Sequence, residues 1–94
     1  MANRKIARLG DSSDHGAVIA THGQDGSVFC EDAIVAVNGA SLASHYSDPT
    51  HVNPIINSNL ATKLFINGKA VVLNGSIATC GAAIIAGATK TFGS

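Results

Sequence analysis

Histidine and cysteine are the residue types in this sequence that could do chemistry, because both are ligands for zinc and other borderline metals. His15, His45 and Cys80 each follow a short turn-forming segment. His51 lies six residues beyond His45, and Pro49 between them favours a turn that could bring the two together. Three imidazole nitrogens and one thiolate would form a closed tetrahedral set, with no open position for a reacting water. Such a set predicts a structural Zn²⁺ site.

Each of these residues also has a plainer interpretation. An isolated histidine is more often a surface or core side chain than a ligand, and the sequence contains no C-x-x-C pair. Cys30 and Cys80 could form a disulfide, as a thiol-disulfide protein would require, although a cytoplasmic origin favours free thiols or metal ligands. A residue other than His51 could be the fourth ligand. Asp11 and Asp14 could form a carboxylate pair, but their positions are typical of turns.

An internal repeat organises the chain. Residues 29–39 match residues 65–75 without a gap, and each copy consists of Phe, a turn, an apolar run and Asn-Gly. A shorter third copy runs from residue 7 to His15, and Phe92-Gly93 resembles the truncated start of another unit. The repeat predicts similar units arranged around a pseudo-three-fold axis.

The repeat also relates the predicted ligands. If Ala40 is skipped, the alignment continues beyond the Asn-Gly and places His45 opposite Cys80, with His15 at the matching point of the amino-terminal copy. Packing of the units around one axis would therefore bring these three side chains together. Cys30 matches an isoleucine and His22 matches a glycine, so we expect a small buried cysteine and a solvent-exposed histidine.

The apolar runs are short and bounded by turn residues, which predicts an all-β fold with strands of about three to five residues. No segment has a useful helical period, and residues 46–59, rich in Pro, Asn and Ser, are predicted to be a loop. The chain, residues 1–94, is expected to be a single domain. The strands in residues 34–37, 64–66 and 71–73 look too apolar for so small a domain to bury, so we expect part of their surface to meet a partner.

Composition excludes several classes of function. Six basic and six acidic residues give a formal net charge of zero, which disfavours nucleic acid as a partner. The amino terminus has no apolar segment typical of a signal peptide, so the protein is expected to be made in the cytoplasm and not exported by the general route. The apolar residues are mostly small aliphatics, and the chain has no Trp, so the core needs a staple such as a metal.

Several motifs resemble those of the PAAR-repeat family. They are A-R-L-G-D from residue 7, followed by His15-Gly16, then V-F from residue 28, L-F-I-N-G-K from residue 64 and T-C-G from residue 79. The likeness covers nearly the whole chain. The family's defining tetrapeptide keeps only its last two letters, at Ala7 and Arg8, and His45 stands where many relatives have Cys-Pro.

The resemblance implies a small cone of short antiparallel sheets, with a structural zinc near its vertex held by His15, His45, His51 and Cys80. It implies a structural, non-enzymatic role as the membrane-piercing tip that caps the trimeric VgrG-like or phage-tail β-helical spike of a contractile injection machine. One tip would cap one trimer, and the machine, a type VI secretion system or a phage tail, would deliver it outside the cell and bring it into transient contact with a target envelope. The alternative is a small structural zinc-binding module or metallohydrolase unrelated to injection.

Overall fold

The computed structural model describes residues 4–14, 16–24, 28–43, 54–88 and 90–93. Within these ranges every regular element is a β-strand and no helix occurs. The strands contain two or three residues each and are, in chain order, Arg4–Lys5 (β1), Ser12–Ser13 (β2), Ile19–Thr21 (β3), Phe29–Cys30 (β4), Ala33–Ile34 (β5), Ser41–Leu42 (β6), Ile56–Ser58 (β7), Phe65–Ile66 (β8), Lys69–Ala70 (β9), Ile77–Ala78 (β10), Ile84–Ile85 (β11) and Phe92–Gly93 (β12). Their pairs are all antiparallel, which confirms the predicted all-β class.

Two of the strand pairs are tight hairpins, β4 with β5 and β8 with β9. Asn67 and Gly68 connect the second hairpin with φ of 51° and 80°, the left-handed values that suit a two-residue hairpin loop. Glu31 and Asp32 occupy the same places in the first hairpin with φ of 49° and 70°. Since neither is glycine, this conformation costs about 1–2 kcal/mol per residue.

A third pair of the same kind joins the two ends of the chain. β1 pairs with β12, with Arg4 opposite Gly93 and Lys5 opposite Phe92. Phe92-Gly93, which resembles the truncated start of a unit, therefore has the partner strand that a hairpin would supply. In this unit the two strands come from distant parts of the sequence and not from one hairpin.

The remaining pairs, β2 with β11, β3 with β6 and β7 with β10, connect distant parts of the chain. β7 lies inside residues 46–59, so the prediction of a loop there is wrong at its end. Ile56 in β7 is fully buried, and its N–H donates to the Ala40 carbonyl oxygen at 2.8 Å. The strand forms because an apolar Ile-Ile pair follows Pro54, and tertiary contact outweighs the turn-forming residues around it.

The centre of the fold is formed by three segments that we call the central layer: residues 6–8, 35–37 and 71–73. The Ala7 N–H donates to the Val72 carbonyl oxygen at 3.0 Å, Val72 donates to Ala36 at 2.9 Å, and Ala36 donates to Ala7 at 3.1 Å. Isolated bridges connect the same segments: Ile6 with Leu73, Arg8 with Val35, and Val37 with Val71. Each segment of the central layer is therefore bonded to both of the others.

The central layer separates two hydrophobic clusters. Ala7, Ala36 and Val72 are fully buried in the first, which we call the thiol-side cluster because Cys80 packs against it. The second, the hairpin-side cluster, contains Cys30 and has Ile66 packed against it. It includes the hydrophobic residues on either side of that first trio: Ile6, Val35, Val37, Val71 and Leu73. This alternation follows from extended backbone, in which successive side chains point to opposite faces.

The chain itself covers these apolar strands. Val35, Val37, Val71 and Leu73 are at most 4% exposed. The prediction that the apolar strands keep surface for a partner is therefore wrong for residues 35–37 and 71–73. The reason is that small side chains from the hairpins and neighbouring segments, among them Ala61 and Ala88, pack onto the central layer from outside.

A glycine follows each segment of the central layer. Gly10, Gly39 and Gly75 have φ of 92°, 98° and 90°, a conformation that glycine adopts without steric cost. The next residue donates its N–H to the carbonyl oxygen three residues earlier at 3.0, 2.8 and 2.9 Å, which closes a turn. These turns direct the chain out of the central layer.

Candidate metal centre

Cys80 is the predicted ligand that lies among the described residues. It occupies the turn between β10 and β11, is partly buried, and packs against the thiol-side cluster. It forms no disulfide with Cys30, which is 7% exposed in the hairpin-side cluster and is the small buried residue that was predicted. His15, His45 and His51 lie outside the described residues, so their role as ligands stays a prediction.

The residues on either side of His15 are held against the stretch that follows Cys80. The Asp14 N–H donates to the Ala83 carbonyl oxygen at 2.9 Å, and the Ala83 N–H donates to Asp14 Oδ1 at 3.0 Å. The Gly16 N–H donates to the Ser13 carbonyl oxygen at 3.0 Å, so the described residues on the two sides of position 15 lie close together. These residues are therefore adjacent to the turn that carries Cys80.

The described residues that flank positions 44–53, the range that contains both His45 and His51, are held by hydrogen bonds. The Ala43 N–H donates to the Val18 carbonyl oxygen at 2.8 Å, two residues beyond Gly16. Thr79 donates its N–H to the Ile55 carbonyl oxygen at 2.8 Å, and the Ile55 N–H donates back to Thr79 Oγ1 at 3.2 Å. Residue 43 thus lies beside residue 18, and residue 55 lies beside the residue that precedes Cys80.

The hydrogen bonds also correct the alignment of the repeat. Ile19, Ile56 and Ile84 donate their N–H groups to the carbonyl oxygens of residues 11, 40 and 76, each at 2.8 Å. Ala40 therefore matches Asp11 and Ser76, and skipping it is wrong. The gapless alignment places Ser44, not His45, opposite Cys80, and ten residues, 44–53, stand where the other units have two. The assignment of His45 as a ligand consequently depends on the family resemblance and no longer on the repeat.

Asp11 is a structural carboxylate. Its Oδ2 accepts the backbone N–H groups of Arg8 at 2.8 Å and of Gly87 at 2.9 Å, and its Oδ1 is 3.3 Å from Arg8 Nη2. The hydrogen bond to Asp11 raises the pKa of Arg8 above its usual value. Ser76, at the matching position, likewise accepts the Leu73 N–H with its hydroxyl at 3.0 Å. The side chain after the glycine therefore caps the turn, a role that sequence reasoning missed.

His22 was expected to be exposed, but it is half-buried. Its Nδ1 accepts the Gln24 N–H at 3.0 Å, and its carbonyl oxygen accepts the Val37 N–H at 2.9 Å. Val37 needs this partner because Ala40, unlike Asp11 and Ser76, has no side-chain acceptor. The sequence signal for this change of hydrogen-bond acceptor is Ala40, which follows Gly39 where the other two units have Asp11 and Ser76.

In the described part of the chain, no three His, Cys, Asp or Glu side chains come together. Three of the four predicted ligands lie outside that part, so this finding does not test the zinc site. The same residues enclose no pocket of ligand size. They also contain no helix long and apolar enough to span a membrane.

Comparison with known protein families identifies the family of the chain. The family model of the PAAR motif matches residues 9–86, which is most of the chain. The chain belongs to the PAAR-motif family. The PAAR motif is associated with the spike-tip proteins of type VI secretion, a structural family that associates with spike proteins and is not a family of enzymes. The resemblance found in the sequence is therefore confirmed. A comparison with curated proteins found no match to the chain.

Proposed function

We propose that this PAAR-motif chain is the membrane-piercing tip of a contractile injection machine, a type VI secretion system or a phage tail. One copy would cap one trimeric VgrG-like or phage-tail β-helical spike. The observation that carries the proposal is the closed ring of hydrogen bonds in the central layer, in which three segments of one chain each bond to the other two. A single chain with pseudo-three-fold symmetry can sit on the axis of a trimer and offer each spike subunit a similar surface.

Repetition of the same bonds in all three units supports this symmetry. Leu9, Asn38 and Asn74 donate their N–H groups to the carbonyl oxygens of residues 34, 70 and 5, each at 2.8 Å. Residue 34 belongs to the first hairpin and residue 70 to the second, while residue 5 belongs to β1, which pairs with the far end of the chain. Three two-stranded units would therefore surround one axis on the same side of the central layer.

The opposite end would carry a structural zinc, held by His15, His45, His51 and Cys80. Support comes from the described flanks of these residues, which hydrogen-bond to one another through residues 14 and 83, 18 and 43, and 55 and 79. The donor set of three nitrogens and one sulfur suits tetrahedral Zn²⁺ and leaves no position for catalysis. A structural zinc contributes about 10–16 kcal/mol of binding free energy in small domains, which is as large as the stability expected of the fold.

The mechanism in this proposal is mechanical. The metal would fix the turns at the vertex, where few side chains can pack, and the hairpin side of the central layer would rest on the spike. Contraction of the sheath would then drive a rigid point through the target envelope, which the tip contacts only transiently. The protein would be made in the cytoplasm and carried out of the cell by the machine itself.

Light scattering on the purified chain, alone and mixed with the trimeric spike protein of the same genome, tests the proposal. We expect a monomer in isolation and a complex of one tip with three spike chains. A complex of three tips with three spike chains would contradict capping on the axis. Failure to bind any spike from that genome would contradict the function itself.

A further inference from the structure

All phenylalanines of the chain are exposed. Phe29, Phe65 and Phe92 are 62%, 54% and 48% exposed, while the buried cluster residues are small or medium-sized aliphatics and one cysteine. A phenylalanine in a small domain usually contributes the largest buried area, so this distribution is the reverse of the usual one. A single exposed phenylalanine would need no explanation, but these three share further properties.

The three phenylalanines occupy the same position in the three two-stranded units. Each is the first residue of its strand, in β4, β8 and β12. They lie opposite Ile34, Ala70 and Lys5, respectively, which are the second residues of β5, β9 and β1. The third unit keeps this register even though its two strands come from opposite ends of the chain.

The residue after each phenylalanine faces the hairpin-side cluster. Cys30 is buried in that cluster and Ile66 packs against it. A Cβ on Gly93 would lie 3.4 Å from Leu73 Cδ2 and 3.7 Å from Ile6 Cγ1, both residues of the same cluster. Since successive strand residues point to opposite faces, the phenylalanines point away from the cluster. They lie on the hairpin side of the central layer, whereas Cys80 packs on the other side.

We propose that Phe29, Phe65 and Phe92 are the main binding residues of this chain, and that each inserts into an apolar site on one subunit of a homotrimeric spike. The inference rests on the proposed capping function and adds the residues that would provide its affinity. Three copies of one aromatic residue at matching positions of a single chain fit a partner that offers three identical sites, and a homotrimer on the same axis does so. Aromatic side chains are typical binding hot spots, while residues 35–37 and 71–73 of the central layer are already buried by the chain.

Substitution by threonine tests this proposal, because threonine is polar and keeps a high β-propensity. The variants are Phe29→Thr, Phe65→Thr, Phe92→Thr and the triple variant, and Ile85→Thr is the matched control. Ile85 is 53% exposed in β11 and follows Ile84 of the thiol-side cluster, so it lies away from the hairpins. Thermal unfolding of each variant checks that it is folded, and calorimetry with the trimeric spike protein of the same genome measures Kd.

We expect each single variant to weaken binding about tenfold or more and the triple variant to abolish it. Ile85→Thr should leave Kd unchanged. If the triple variant is folded and binds the spike as tightly as the wild type does, the role of the phenylalanines is overturned and the capping function is left intact. A wild-type chain that binds no spike would overturn both. If only one of the three single variants bound the spike more weakly, the threefold contact would be overturned. Self-association of the wild-type chain through its phenylalanines would overturn it as well.

Discussion

Removal of the Asp11 carboxylate is the sharpest test of how the fold is held together. The side chain is only 8% exposed, and its Oδ2 accepts two backbone N–H groups, from Arg8 in the central layer and from Gly87 near the carboxyl end. Asp11→Ala would leave both donors without this acceptor and would also break the ion pair with the Arg8 side chain. We expect a folded protein of much lower stability.

The magnitude follows from these contacts. A hydrogen bond to a charged group contributes about 1.5–3 kcal/mol, and two such bonds are lost. The free energy of unfolding should therefore fall by about 3–6 kcal/mol, a large share of the roughly 5–14 kcal/mol expected for a domain of this size. Asp11→Ser should cost about 1–2 kcal/mol less than Asp11→Ala, because a serine hydroxyl at the matching position, Ser76, accepts the Leu73 N–H.

Urea unfolding followed by circular dichroism measures both variants, with an unchanged m-value as the sign that the same fold is being compared. The expected order of stability is wild type, Asp11→Ser, Asp11→Ala. A loss below about 1 kcal/mol for Asp11→Ala would refute the reasoning, because it would mean that the buried N–H groups find other partners without cost. Equal losses for the two variants would show that a serine hydroxyl at position 11 does not accept the Arg8 N–H as Ser76 accepts that of Leu73.

Three further predictions concern the metal and the backbone. The purified chain should hold one zinc, and its cobalt-substituted form should show a tetrahedral spectrum with thiolate ligation; a stoichiometry near zero or a six-coordinate spectrum would contradict the site. Chelator should lower the melting temperature of the wild type and of Cys30→Ala but not of Cys80→Ala, and similar responses from the two variants would count against Cys80 as a ligand. Gly23→Ala should destabilise the protein by about 2–4 kcal/mol and Gly10→Ala by about 1–2 kcal/mol, measured by urea unfolding. Both glycines have positive φ, but only at Gly23 would the new Cβ lie 2.8 Å from a backbone nitrogen, that of Ala40. Equal losses would show that this close contact adds no cost.

Local patterns in the sequence predicted what depends on neighbouring residues. Short apolar runs that end in Asn-Gly predicted strands and their turns, and Asn67-Gly68 has the backbone conformation that such a hairpin requires. Cys30 matched an isoleucine in the repeat and is buried among aliphatic side chains. The family was also recognisable from short motifs, because each motif lies within a single unit.

What the sequence could not predict depends on contacts between units. The match of Ala40 with Asp11 and Ser76 became visible only through hydrogen bonds to Ile19, Ile56 and Ile84. The burial of His22 likewise depends on Val37, which takes its carbonyl because Ala40 has no acceptor. Short-range patterns do not encode such compensation, and so the units looked more alike than they are.

The third unit differs from the two hairpins because its strands, β1 and β12, are not consecutive in the chain. In each hairpin a two-residue turn holds the two strands together. β1 and β12 are separated by almost the whole chain, so bringing them together has a larger entropic cost. Side chains from the rest of the fold meet this need by accepting N–H groups of the last segment: Asn74 from Ala86 at 3.0 Å, Asp11 from Gly87 at 2.9 Å, and Glu31 from Lys90 at 3.0 Å. Glu31 belongs to the turn with unfavourable φ values, and it also accepts the Thr91 hydroxyl at 2.8 Å. The carboxylate of Glu31 therefore stabilises the last segment from a strained turn, at the position where the second hairpin has Asn67.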